Sequence, residues 1–135
     1  MSNNWKSKNR HKTLLQYHVI FVCKYRKKLL VNENISDDIK QLSYEICQKY
    51  NVIIHEMETD KDHIHYMIET EPTISISKLV NLMKSYTTYH IWKRYPNYLS
   101  KHFWKEKTFW TDGYFACSIG NVSEGQLRRY IENQG

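Results

Sequence analysis

Val52-Ile53-Ile54-His55-Glu56-Met57-Glu58-Thr59-Asp60-Lys61-Asp62-His63-Ile64-His65-Tyr66-Met67-Ile68-Glu69 reads as two strands and the turn between them. Apolar and β-branched residues mark 52–59 and 63–69 as strands, and Asp60-Lys61-Asp62 is the polar turn of the hairpin. Successive side chains on a strand point to opposite faces. Ile64, Tyr66 and Ile68 therefore share the face a core would bury, while His63, His65, Met67 and Glu69 share the other.

The flanking chain supplies the elements that complete a fold around this hairpin. Upstream, residues 35–50 place Ile35, Ile39, Leu42, Ile46 and Tyr50 at helical spacing. Asn34 or Ser36 is the expected cap, and Asp37 and Asp38 fall in the expected first turn. Before that helix, residues 14–23 are rich in β-branched and aromatic side chains and read as a buried strand. Downstream, Pro72 breaks the chain. Residues 75–95 then form a long helix, with Ile76, Leu79, Val80, Met83 and Tyr86 on one face and Pro96 at its end. Residues 97–108 read as a loop, and 109–119 as a fourth strand interrupted at Gly113. After a Gly120-Asn121 turn, a last helix starts at Ser123, with Gln126 in capping-box register, and runs to about Asn133. The order β-α-β-β-α-β plus a C-terminal helix is the ferredoxin-like pattern: an α+β domain with an antiparallel sheet and two helices on one face. Many unrelated functions use that fold, so it decides none of them.

The composition suits a single soluble domain. Of 135 residues, 41% are apolar and 25% charged, which argues against a disordered chain. No apolar run is long enough to span a bilayer, and the polar start Met1-Ser2-Asn3-Asn4-Trp5-Lys6 does not read as a signal peptide, so a cytoplasmic protein with no membrane role is expected. Residues 1–13 are a basic arm, and 14–135 a single domain. Lys and Arg exceed Asp and Glu by 20 to 14, a net charge of +6 that suits a polyanionic partner. Eleven Tyr, four Trp and four Phe sit among those charges, which suits either single-stranded nucleic acid, with cations for phosphates and flat partners for bases, or a Tyr-rich rim of the core. The three cysteines, Cys23, Cys47 and Cys117, are widely separated and make neither a disulfide framework nor a thiolate zinc site.

Two stretches carry possible chemistry. His63 and His65, two apart on one strand, either reach a single cation together or stand as two surface histidines on an edge strand. Glu58, Asp60 and Asp62 are nearby third ligands for the first reading. In the C-terminal helix, Leu127, Tyr130, Ile131 and Gln134 share one stripe, and Arg128, Arg129 and Glu132 lie away from it. Leu127 and Ile131 are expected to pack the stripe inwards and carry Tyr130 and Gln134 with them. The other reading makes Tyr130 a core aromatic and Gln134 a frayed end residue.

Asp62-His63-Ile64-His65 followed by a C-terminal Tyr130-Ile131-Glu132-Asn133-Gln134 resembles the HUH single-strand DNA transposases with one catalytic tyrosine, encoded by small bacterial and archaeal insertion sequences. Tyr17-His18-Val19-Ile20-Phe21 running into Lys24-Tyr25-Arg26, Lys84-Ser85, Gly113-Tyr114-Phe115 and Ser118-Ile119-Gly120 fit the same family, so the resemblance spans about Leu14 to Gln134. It implies a single catalytic HUH domain over 14–135. It also implies a divalent ion, Mg²⁺ or Mn²⁺, on His63, His65 and Gln134, and Tyr130 as the nucleophile that takes a 5′ phosphate. The implied substrate is single-stranded DNA with hairpin ends. The implied assembly is a homodimer in which the Tyr130 helix can act in trans, with Gly120, Asn121 and Gly125 allowing the swing. Lys24, Arg26, Lys27, Lys28, Lys84, Lys93 and Arg94 are the candidate phosphate contacts. Tyr66-Met67 is more polar than the aliphatic pair such a strand would carry, and Gln134, one residue from the last, is expected to be loosely held until metal or DNA binds. Two alternatives remain. One is a non-enzymatic RNA- or DNA-binding module of the same fold, although His63, His65, Met67 and Glu69 are not the stacking aromatics such a module needs. The other is an HUH nuclease of replication initiation or repeat mobilisation.

Overall fold

The computed structural model describes residues 14–118 and 124–134. The basic arm 1–13, the Gly120-Asn121 turn, the Ser123 cap and the side chain of Leu127 lie outside the described residues. Four strands, β1 (Leu15–Val22), β2 (Ile53–Asp60), β3 (His63–Thr70) and β4 (Phe115–Ser118), form one sheet in the order β2-β3-β1-β4. Every neighbouring pair is antiparallel, which is the ferredoxin-like arrangement. β3 is therefore a central strand, between β2 and β1, and the reading of its histidines as edge-strand residues is corrected.

Two long helices cover one face. α1 (Glu33–Lys49) buries Ile35, Ile39, Leu42 and Ile46, and α2 (Ile76–Arg94) buries Leu79, Val80 and Met83. Ile64, Tyr66 and Ile68 of β3 meet them, and the Tyr66 hydroxyl is 2.7 Å from Ser43 Oγ of α1. That bond explains a tyrosine where an aliphatic side chain was expected, because a buried hydroxyl needs a partner and α1 supplies it.

The boundaries depart from the sequence reading where side chains find other partners. α1 starts earlier than expected because Asn32, not Asn34 or Ser36, caps it, its Oδ1 accepting from the amides of Asn34 and Ile35 at 3.0 and 3.2 Å. Glu33 occupies the first turn in place of Asp37 and Asp38, and Asp38 instead accepts from the Tyr95 hydroxyl at 2.6 Å and pairs with Arg94 at 3.4 Å. Pro96 ends α2 but also opens a short helix, α3 (Pro96–Ser100), inside the span read as a loop, because its fixed φ suits a first helical position.

The fourth strand is shorter than expected. Thr111 N donates to Val22 O at 2.8 Å and Lys24 N to Phe109 O at 2.8 Å, so residues 109–111 pair with the end of β1. The chain then leaves the sheet at Asp112-Gly113 and rejoins it as β4, opposite Tyr17, His18, Val19 and Ile20. The last helix, α4 (Glu124–Glu132), lies over the sheet face that α1 and α2 leave open.

Candidate active site

The alternation of β3 places His63 and His65 half-exposed on that open face, opposite Val22 and Ile20 of β1. Each imidazole has a partner. Asp62, in the turn before β3, accepts from His63 Nδ1 at 3.0 Å with one carboxylate oxygen and from Arg26 Nε at 3.3 Å with the other. Burial raises the Asp62 pKa, but the bonds from His63 and Arg26 outweigh it and hold the carboxyl below the usual range. An ionised Asp62 fixes the proton of His63 on Nδ1 and leaves Nε2 as the nitrogen able to meet a cation. His65 Nε2 lies 2.9 Å from His18 Nδ1, with the rings stacked at 5.0 Å. Burial, with His18 and His63 nearby, lowers the His65 pKa, while Glu58 and Glu56 pull it upward. A cation taken at His65 Nε2 would replace His18 there.

Of the nearby carboxylates, Asp62 is committed to His63 and Arg26, and Asp60 Oδ1 accepts from the Lys61 amide at 2.7 Å. Among the described residues no three His, Cys, Asp or Glu side chains are grouped to hold a metal ion.

α4 supplies the other half of the site. Arg128, Ile131 and Glu132 face His63 and Asp62 across a cleft of about 570 Å³, so Arg128 and Glu132 line the site rather than lying away from it. Gln134 is half-buried, with its backbone N–H donating to Ile131 O at 3.1 Å, which closes the final turn. Tyr130 does point inwards, but towards a different wall. Its ring is 5.5 Å from Phe115, and a Cβ added at Gly113 would lie 3.8 Å from its hydroxyl. The hydroxyl is buried without a well-formed hydrogen bond. Burial pushes this phenol above its ordinary pKa, with the Thr111 hydroxyl pulling the other way, so Tyr130 is protonated as docked.

Lys84 of α2 builds the wall that Tyr130 meets. Its ammonium donates to the carbonyls of Thr111 at 2.7 Å and Gly113 at 2.6 Å, and burial pushes its pKa down to about 8. Of the other candidate phosphate contacts, Arg26 and Arg94 also spend their donors inside the chain. Lys24 pairs with the exposed Asp112 at 3.5 Å, Lys27 sits 5.9 Å from the Phe103 ring, and Lys28 lines the His63 cleft. Lys93 and Lys107 line a second groove of about 760 Å³ between α2 and residues 107–112, with Tyr89, Trp92 and Trp110 in its walls. The parts that sequence reasoning passed over are His18, the Asp62–Arg26 pair and the Lys84 clamp. His18 could have been found from strand alternation, since it lies two residues from Ile20 on the same face of β1. The other two depend on loop paths with no local signature.

Comparison with known proteins agrees with this architecture. A family model described as "Transposase IS200 like" matches residues 11–134. The ISDra2 transposase TnpA of Deinococcus radiodurans is 28% identical over 120 residues, covering 89% of this chain and 84% of that protein. The transposase for insertion sequence element IS200 of Salmonella typhimurium is 26% identical over 119 residues, covering 88% and 76% respectively. The crystal structure of a Deinococcus radiodurans chain described as a transposase superposes with a TM-score of 0.82 at 23% identity, over 99% of this chain and 98% of that one. A REP-associated tyrosine transposase bound to a REP hairpin superposes with a TM-score of 0.59 at 13% identity, over 98% of this chain and 69% of that one. At these identities the two structures speak for a shared fold, whereas the family model spans nearly the whole described chain, and the protein belongs to the IS200-like transposase family.

Proposed function

We propose that this transposase cleaves and rejoins single-stranded DNA at insertion-sequence ends through a 5′-phosphotyrosine on Tyr130. In this reading His63, His65 and Gln134 hold one divalent ion, Mg²⁺ or Mn²⁺. The observation that supports the reading is a cleft with His63 and Asp62 on one side and Arg128, Ile131 and Glu132 of the helix that carries Tyr130 on the other. Two imidazoles and an amide oxygen form a donor set that leaves positions open for phosphate oxygens. A bound cation would polarise the scissile phosphate.

The protein's own steps follow from the side chains. Asp62 keeps the proton of His63 on Nδ1. Tyr130 Oη attacks phosphorus, and the Oη–P bond forms as the bond to the 3′ oxygen breaks. That oxygen leaves as a 3′ hydroxyl, taking up a proton equivalent to the one the phenol gives up. The ester keeps the energy of the broken bond, so attack by a 3′ hydroxyl reverses the step and rejoins DNA without ATP. Tyr130 as docked is turned to Gly113 and Phe115, so it must leave that cradle to act. This favours a helix that swings, and a homodimer in which α4 of one copy serves the histidines of the other. Hairpin DNA is the expected ligand. Lys24, Lys27 and Lys28, together with Lys93 and Lys107, are the candidate phosphate contacts, with Tyr89, Trp92 and Trp110 offering flat surfaces.

The test is cleavage of labelled single strands from the DNA flanking the gene, with and without Mg²⁺ or Mn²⁺. His63→Ala combined with His65→Ala is expected to abolish divalent-dependent cleavage. Unchanged cleavage by that variant would overturn the metal site.

A further inference from the structure

Tyr25 and Arg26 are consecutive non-glycine residues in the left-handed region, at φ 59 and 51. Such backbone is costly for residues with a Cβ and persists where the surroundings hold it. Here the turn is pinned by Arg26 N donating to Cys23 O at 2.8 Å and Lys27 N donating to Lys24 O at 3.2 Å. The result of the turn is the aim of one guanidinium. Arg26 Nε donates to Asp62 Oδ2 at 3.3 Å, and Nη1 donates to the carbonyl of Glu132 at 3.2 Å. The first acceptor adjoins β3, and the second is a carbonyl at the C-terminal end of α4, where the helix leaves unpaired oxygens and partial negative charge. Asp62 passes the contact on through its other oxygen, 3.0 Å from His63 Nδ1. A planar fork with several donors can satisfy two such acceptors at once, and a lysine ammonium cannot match that geometry.

We propose that Arg26 is a positioning residue that fastens the C-terminal end of α4 to the sheet and, through Asp62, orients His63, so that helix docking and the histidine ring are set by one side chain. This replaces the expectation that Arg26 contacts DNA phosphate. The inference rests on the proposed function for the roles of Tyr130 and His63, but the docking and the ring orientation can be read without any reaction.

The test uses the full-length, metal-free protein as wild type, Arg26→Gln and Arg26→Lys. Hydrogen exchange of the 124–134 amides should rise about tenfold or more in Arg26→Gln and by less in Arg26→Lys, with protection of β1, β3 and α1 unchanged. The ¹⁵N shifts of the His63 ring should move from a single Nδ1–H tautomer towards a mixture in Arg26→Gln. With hairpin DNA and Mn²⁺, Arg26→Gln should slow covalent-adduct formation, because the His63 ring loses its orientation and not because α4 is freed, without weakening DNA binding. Wild-type exchange in α4 for both variants, in proteins whose sheet remains protected, would overturn the proposal. So would a loss confined to DNA affinity, which is the mark of a phosphate contact. If wild type forms no adduct while α4 and His63 respond as stated, the proposed function fails and the positioning role stands.

Discussion

Ser43→Ala removes the partner of a hydroxyl that cannot reach water. Ser43 and Tyr66 are both fully buried, and their oxygens lie 2.7 Å apart between α1 and β3. Leaving a buried hydroxyl unsatisfied costs about 1–3 kcal/mol. Tyr66 has no local alternative, so Ser43→Ala should cost about 2 kcal/mol. Tyr66→Phe leaves the serine instead, and a helical serine can turn back to the carbonyl four residues earlier, so about 1 kcal/mol is expected. The double variant leaves neither oxygen stranded and should cost about 1 kcal/mol, against about 3 for the sum of the singles. The coupling of about 2 kcal/mol is read from urea unfolding of the four proteins, with the slope of the transition unchanged. Single costs that add within about 0.5 kcal/mol would refute the reasoning.

The other predictions concern the site. Gln134→Ala should weaken the divalent dependence of cleavage less than the histidine changes do, since Gln134 lies in the last turn of the described chain; an equal loss in a metal titration would give it full ligand weight. Burial pushes the Lys84 pKa down to about 8 in the folded chain from an ordinary 10.5, so between those values the unfolded chain binds more protons and stability gains with rising pH. Urea unfolding from pH 8 to 10 should show that gain in wild type relative to Lys84→Met, and parallel pH profiles would contradict the buried ammonium.

Patterns with a period were legible in the sequence. The apolar spacing of α1 and α2 and the alternation of β3 follow from residues that repeat along an element, and they placed His63 and His65 on one face. The site partners were less legible, because a charge does not state where its acceptor is. Arg26 and Lys84 look like phosphate contacts in one dimension. In the fold they reach Asp62, Glu132, Thr111 and Gly113, which come from distant parts of the chain. Asp37 and Asp38 suggested a helix start for the same reason, while Asn32 took the cap and Asp38 turned to Tyr95 and Arg94. The fourth strand was read from 109 with a break at Gly113, and Phe109 and Trp110 do meet the end of β1 before the chain leaves the sheet. They are buried beside β1 in a segment that Lys84 then draws away from the sheet.

The central claim is that Tyr130 becomes covalently joined to DNA. Labelled single strands carrying the hairpins that flank the gene would be incubated with protein and Mg²⁺ or Mn²⁺ and separated under denaturing conditions. The account predicts a protein–DNA band that Tyr130→Phe abolishes while hairpin binding remains. An undiminished band in Tyr130→Phe would place the nucleophile elsewhere and contradict it.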